Sequence, residues 1–329
     1  MRDSYLDTMK GFCILSVIFI HTCFHSGESY VPLYLKNICL LFDVFIFFFL
    51  TGCLFNIKND LNIFKQIYQF IKLFFLIVLG GGLVSGFISL NMIIQPLALS
   101  GAFIKNLEGL EWSYWFVPMY VVALLYLTII VKYSNKLFSK ILLFLIPIYY
   151  IYQYITGELL HISILGQNLQ SILYYIWVML LGYTLYSIKS PILNCCAIGF
   201  LMLGLLYFIY NTFFANDFLL QNYKSPISLP YILCSLVSLS LIILLRNKVR
   251  NNFLSKIGAK SIYFYISQGF GSSFLIHYHT YITIHTWYLK FIICFILNLV
   301  ISILLGYLFY WTDKNLLAKI NLLKYIRRI

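Results

Sequence analysis

Long apolar runs separated by short polar ones dominate this chain. Ten stretches are each long enough to cross about 30 Å of hydrocarbon as a helix. They are residues 8–25, 38–56, 67–89, 114–131, 140–156, 169–187, 191–214, 227–245, 258–277 and 288–311. The fifth is the weakest, being short and carrying Pro147. The pattern predicts an all-α membrane protein, a polytopic bundle of about ten transmembrane helices. Most connecting segments are short, and no low-complexity linker or short repeat interrupts them. Residues 1–329 are therefore expected to form one integral-membrane domain with no fused soluble domain. The first stretch lacks the n-region, short h-region and small-residue site of a cleaved signal, so it is expected to be retained.

Composition agrees with this class. The chain is 62% hydrophobic and only 10% charged, against about 25% charged in soluble domains. The formal net charge of +13 would by itself suggest a nucleic-acid partner. Its distribution excludes that reading. With the first residue placed in the cytoplasm, nineteen of the 23 Lys and Arg fall on the cytoplasmic side, leaving Lys36, Lys105, Lys224 and Lys290 outside. The asymmetry follows the positive-inside rule with both termini cytoplasmic, and the excess also attracts anionic lipid. The eight cysteines lie mostly in apolar runs and form no CxxC pair, so they read as small buried residues rather than a disulfide or zinc framework.

Candidate chemistry begins at the first helix. Lys10 and His21 are eleven residues apart, about three turns, and so share one face some 16 Å apart along the axis. Asp7 stands three residues before Lys10 and suits an i,i+3 pair. An anchoring role explains Lys10 alone, but nothing about anchoring requires an imidazole at the depth of His21. Ionisable groups inside a membrane are costly and mark function. Burial disfavours the imidazolium, so His21 is expected to be neutral unless an acid pairs with it. A neutral imidazole can then take a proton from a hydroxyl. Asp43, inside the second stretch, must pair or protonate; it is expected to partner His21 or to line a substrate path, with a misplaced helix boundary as the alternative. Glu111, Trp112 and Trp115 form an aromatic–acid cluster at the outer face, suited either to stacking a sugar or to an interfacial belt. His25 reads as a polar residue near the interface. His277, His279 and His285 match no strong zinc spacing, and no metal is expected. Gly80–Gly82 lies inside a span and marks a kink or a close helix contact, not a phosphate loop.

Four segments together resemble the membrane-bound acyltransferase-3 family. The first is Asp7, Lys10–Gly11 and His21, similar to the family's opening Asp, cation and His. The second is FIFFFLTGCLF at 45–55, similar to FFFxSG with Thr51 for the usual Ser and Gly52 kept. The third is WFVPMY at 115–120, similar to WFLPxL. The fourth is IGAKSIYFYISQ at 257–268, similar to GxxSxxxYxxH, with Ser261 kept and Gln268 in place of His. Two family arginines at the start of the third helix are here replaced by Lys65 and Lys72, which bind phosphate as point charges without a bidentate fork.

The resemblance implies an O-acyltransferase in a cell membrane, bacterial in type. It would move an acyl group, usually acetyl from acetyl-CoA, from the cytoplasm to a hydroxyl of a surface or lipid-linked glycan. His21 would serve as general base, with Asp43 beside it as a catalytic candidate. Lys10, Lys65 and Lys72 would meet the CoA phosphates, Asp7 would hold Lys10, and Glu111, Trp112 and Trp115 would meet the acceptor. Partners in keeping with this reading are the glycan, membrane lipids, a separate extracytoplasmic transferase and a second copy of the chain. Two rivals share the hydropathy pattern. A glycan-lipid flippase should show paired halves with broken helices, and no internal symmetry is evident. A membrane glycan polymerase should keep Arg or His in large outer loops, whereas the outer cations here are four lysines.

The charge pattern makes a direct prediction about topology. In intact cells, a membrane-impermeant thiol reagent should label Gly157→Cys above background and spare Ser134→Cys; the reverse pattern would invert the bundle.

Overall fold

The computed structural model describes residues 3–58, 63–85, 114–133, 136–158, 162–164, 167–215, 217–246 and 252–317. Among these, helix occupies each of the ten expected segments. In chain order they are α1 (Ser4–His25), α2 (Leu33–Leu40), α3 (Phe45–Lys58), α4 (Ile63–Ser85), α5 (Phe116–Tyr133), α6 (Lys136–Thr156), α7 (Leu169–Leu185), α8 (Pro191–Phe213), α9 (Leu229–Leu244), α10 (Phe253–Gly258), α11 (Ser261–Tyr278) and α12 (Trp287–Thr312). Extended pairing among the described residues is limited to Ser163–Ile164 with Gln167–Asn168 and an isolated bridge between Lys224 and Ile227. Among the described residues, six segments suffice by length and composition to cross a membrane: Ser4–His25, Leu33–Phe55, Phe116–Tyr133, Leu137–Thr156, Pro191–Phe213 and Trp287–Asn315. The shortfall from ten has physical causes. Helices α7 and α9 are apolar but shorter, and α11 carries Ser, Gln and Gly through its middle. The third expected span ends beyond the described residues, as does the outer segment 90–113.

Two starts and breaks differ from expectation. Helix α1 begins at Ser4 rather than Thr8, because Asp3 caps it by accepting from Tyr5 N–H and Leu6 N–H. Such a cap satisfies amides that would otherwise be orphaned. The second expected span is broken between α2 and α3, at residues 41–44, where Asp43 stands.

Helix α1 is central, packing against α10, α11 and α12, while α3 packs against α7 and α8 against α9. Buried polar groups stitch the centre. Asn298 on α12 donates to Thr22 Oγ1 at 3.1 Å and to the Ile18 carbonyl at 3.3 Å, both on α1. The periphery is the reverse. On α6, α8 and α12 large apolar side chains such as Phe144, Ile192, Leu206 and Leu304 are exposed. Apolar surface on this scale is unfavourable in water and favourable against lipid. The chain is a multi-pass membrane protein.

Two crossings bring backbones together. A methyl on Gly52 of α3 would strike the Met179 carbonyl of α7, and one on Gly182 of α7 would strike the Phe49 carbonyl of α3. Small residues at such contacts let helices associate without a hydrophobic drive. At the start of α1, a methyl on Gly11 would strike the Leu254 carbonyl, and one on Gly258 would strike the Asp7 carbonyl.

The Gly52 crossing predicts an asymmetry between two glycines. Gly52→Ala should destabilise the purified protein by about 2 kcal/mol, an overpacking cost, read as earlier unfolding in micelles. Gly199→Ala on α8, where an added methyl meets nothing within 4 Å, should unfold at or slightly above the wild-type temperature.

Candidate functional site

The residues singled out in the sequence fall into two groups, at opposite ends of α1. At the Lys10 end, five helices enclose a cavity of about 570 Å³. Lys10 reaches it from α1, Phe47, Thr51 and Leu54 from α3, and Lys65, Gln66, Gln69 and Phe70 from α4. Phe116 and Tyr120 come from α5, and Ser261, Ile262, Tyr263 and Tyr265 from α11. The four segments that carry the family resemblance thus meet at one cavity.

The cavity is apolar with a few fixed polar groups. The Tyr120 hydroxyl donates to Gln66 Oε1 at 2.8 Å and lies 3.2 Å from Thr51 Oγ1. Thr51 itself donates to the Phe47 carbonyl one turn back at 2.8 Å. Asp7 pairs with Lys10 at 3.7 Å, as the i,i+3 spacing requires.

Lys72 has a different place from the one its sequence position suggests. Its ammonium is ion-paired with Asp313, which opens the short π-helical turn after α12. Tyr263 also donates to the Asp313 carboxylate, and Gln69 Nε2 lies 3.2 Å from it. A phosphate would have to compete with a buried carboxylate for Lys72. Lys65, by contrast, is exposed at the cavity.

At the His25 end, the imidazoles of His21 and His25 stand 4.9 Å apart, nearly perpendicular. His21 does not line the Lys10-end cavity. Its electrostatic neighbours are His25 and Lys224. Asp43 is buried at the break between α2 and α3, where its Oδ1 accepts from the Val44 amide at 2.6 Å. Its Oδ2 holds Lys224 Nζ at 2.5 Å and accepts from the Tyr231 hydroxyl at 2.7 Å. Asp43 thus sits in a Lys224–Asp43–Tyr231 cluster. The suspected misplaced helix boundary is real, yet the carboxylate is still buried and paired.

Lys224 is delivered by local folding. It follows the 3₁₀ turn Leu220–Tyr223. Asn37 on α2 clamps that turn, accepting from Leu220 N–H at 2.9 Å and donating to the Phe218 carbonyl at 2.8 Å. The ammonium also lies 5.1 Å from the centre of the Trp115 ring, in cation–π range. Trp115 thus joins this cluster, while Glu111 and Trp112 lie outside the described residues.

Between the two ends stands an aromatic wall. Phe116 packs edge-on to Phe48 at 5.1 Å and tilted against Tyr265 at 4.9 Å. Phe48 stacks on Tyr175 at 4.0 Å, and Tyr175 adjoins Trp115 at 6.1 Å. Neighbours in sequence are divided by it, with Phe116 on the cavity and Trp115 against Lys224.

Sequence reasoning missed Lys224, Tyr231 and Asp313. Lys224 was counted only as one of the outer lysines. The signal was the unmet need of Asp43 for a cation, but no spacing rule joins residues 43 and 224. Asp313 could have been sought by the same rule. Of the His-containing run, His277 and His279 place Nδ1 against backbone carbonyls one turn back. Among the described residues, no three His, Cys, Asp or Glu side chains gather as a metal site. Gln268 is fully buried on α11, and its amide meets no hydrogen-bond partner among the described residues. Gly80–Gly82 is helical, within α4.

A family model for the acyltransferase-3 domain matches residues 3–311, nearly the whole chain, and the chain belongs to that family. It is a membrane acyltransferase. No curated protein and no solved structure matches it.

The ion pair at Asp313 separates the roles of two lysines on α4. Lys72→Met should cost about 2 kcal/mol of stability, below the figure for a fully buried pair because Lys72 keeps 19% of its side chain exposed. Lys65→Met should leave thermal unfolding unchanged.

Proposed function

We propose that this membrane acyltransferase carries an acyl group from acyl-CoA to a hydroxyl of a surface or lipid-linked glycan, with acetyl as the group and His21 as the general base. One observation supports this most directly. The segments that carry the family resemblance lie far apart in sequence yet converge on one cavity, with Lys10 and Lys65 at it. A CoA thioester needs that combination. Its phosphates call for cations, and its pantetheine amides call for a few hydrogen-bonding groups in an apolar channel, the chemistry of Gln66, Gln69, Thr51 and Tyr120.

The positive-inside asymmetry makes the Lys10 end the cytoplasmic one. The donor enters there, and the thioester end passes the aromatic wall toward His21. The acceptor approaches from the His25 end, where Trp115 offers an aromatic face. His21 takes the proton of the acceptor hydroxyl as its oxygen attacks the thioester carbon. The imidazolium then returns that proton to the departing thiolate. Asp7 steadies Lys10 for the donor. Lys72, bound to Asp313, shapes the cavity wall through Tyr263 instead of meeting phosphate.

The test uses membrane vesicles from producing cells, with the chain at wild-type abundance and radiolabelled acetyl-CoA as donor. His21→Ala should lower the maximal rate of glycan labelling at least about 100-fold, the usual reach of a general base. Lys10→Ala and Lys65→Ala should raise the KM for acetyl-CoA about tenfold each, the worth of one charge-assisted contact. Undiminished labelling in His21→Ala would remove the assignment of the base.

A further inference from the structure

Acyl transfer at His21 creates a charge that His21 cannot meet. When the acceptor oxygen bonds to the thioester carbon, the C=O electron pair moves onto the carbonyl oxygen. The acceptor proton goes to His21, and the oxyanion is left in an apolar bundle. It persists until the C–S bond breaks and the proton passes to the thiolate. An oxyanion in a low-dielectric site needs preorganised donors, and no backbone amide inside a regular helix is spare to provide them.

We propose that Lys224 is the electrophile that stabilises this oxyanion, held in place by Asp43, Tyr231 and Trp115. The inference rests on the acyltransferase reading of His21 given above. Four observations carry it. The Lys224 side chain is only 13% exposed and its charge acts on His21. An ammonium has three N–H donors, and the carboxylate of Asp43 meets it through one oxygen at 2.5 Å. The Asp43 carboxylate is itself fixed on both oxygens, by the Val44 amide and the Tyr231 hydroxyl, so the cation is located rather than loosely attracted. The Trp115 ring supports Lys224 from a third side, and Asn37 clamps the turn that presents it. This is a site already built around a cation, and its field reaches the proposed base.

Breaking a buried pair leaves an uncompensated charge, whereas removing both charges does not. That difference separates a catalytic cation from a structural one. In the vesicle assay with radiolabelled acetyl-CoA, Lys224→Met should lower the maximal labelling rate about 100-fold, the loss seen when one oxyanion donor is removed, with the KM for acetyl-CoA within about twofold of wild type. Lys224→Arg, keeping the charge, should recover much of that rate. The Lys224→Met/Asp43→Asn double variant covers the case in which the single variant folds poorly: it should regain abundance and thermal stability but not rate. A double variant that regains both would make the pair structural and overturn the proposal while the His21 dependence stands. Labelling equal in wild-type vesicles and in vesicles lacking the chain would instead overturn the acyltransferase reading and this inference with it.

Discussion

A carboxylate inside an apolar bundle has to find a cation or give up its charge, and much of this structure follows from how Asp43 meets that demand. It stands where one long apolar run breaks into α2 and α3, because a side chain that accepts from its neighbour's amide cannot also lie in an uninterrupted helix. Its need for Lys224 draws the turn at 220–224 inward, and Asn37 on the broken helix fastens that turn. Tyr231 at the start of α9 and Trp115 before α5 complete the shell. Five separate pieces of chain are thereby tied to one charge, and His21 lies within the field of its partner Lys224.

The opposite end of α1 solves a different problem. There the polar groups line a hollow instead of closing on one another. Lys10 and Lys65 face the cavity, with Gln66, Tyr120 and Thr51 deeper along its wall. Lys72 and Asp313 form the counter-example at the same end, a pair satisfied within the protein and lending Tyr263 its position. One chain thus holds three kinds of buried or half-buried cation: one facing a cavity, one neutralised in the wall, and one anchored at Asp43.

Much of the fold was legible in the sequence, since hydropathy needs only local information. Among the described residues, helix stands in each of the ten runs that apolar length marked out, including α6 despite Pro147, while most of α10 and of α2 lies outside them. Run length could not see the break at Asp43, because the residues around it are as apolar as a continuous span. It also overstated α7, α9 and α11, whose lengths or polar centres suit burial among other helices. For the site, periodicity correctly set Lys10 and Asp7 together and placed Lys10 and His21 at different depths. It left the Lys72–Asp313 pair unseen and passed over Lys224 for one reason. The partner that decides the role of each lysine, Asp313 or Asp43, lies more than a hundred residues away in sequence. Charge counting gave Lys224 a side of the membrane, whereas only packing gave it a neighbour. Glu111 and Trp112 lie outside the described residues, so the aromatic–acid cluster is represented in the structure by Trp115 alone.

The aromatic wall has an electrical consequence. Polar sites at both ends of one helix invite a continuous file of water between them, and a water file conducts protons. Phe48 stacked on Tyr175, with Phe116 and Tyr265 alongside, interposes rings that offer such a file few bonding partners. A bundle built this way keeps its two polar ends apart. Rings packed at these distances leave a water file no open path through this part of the bundle.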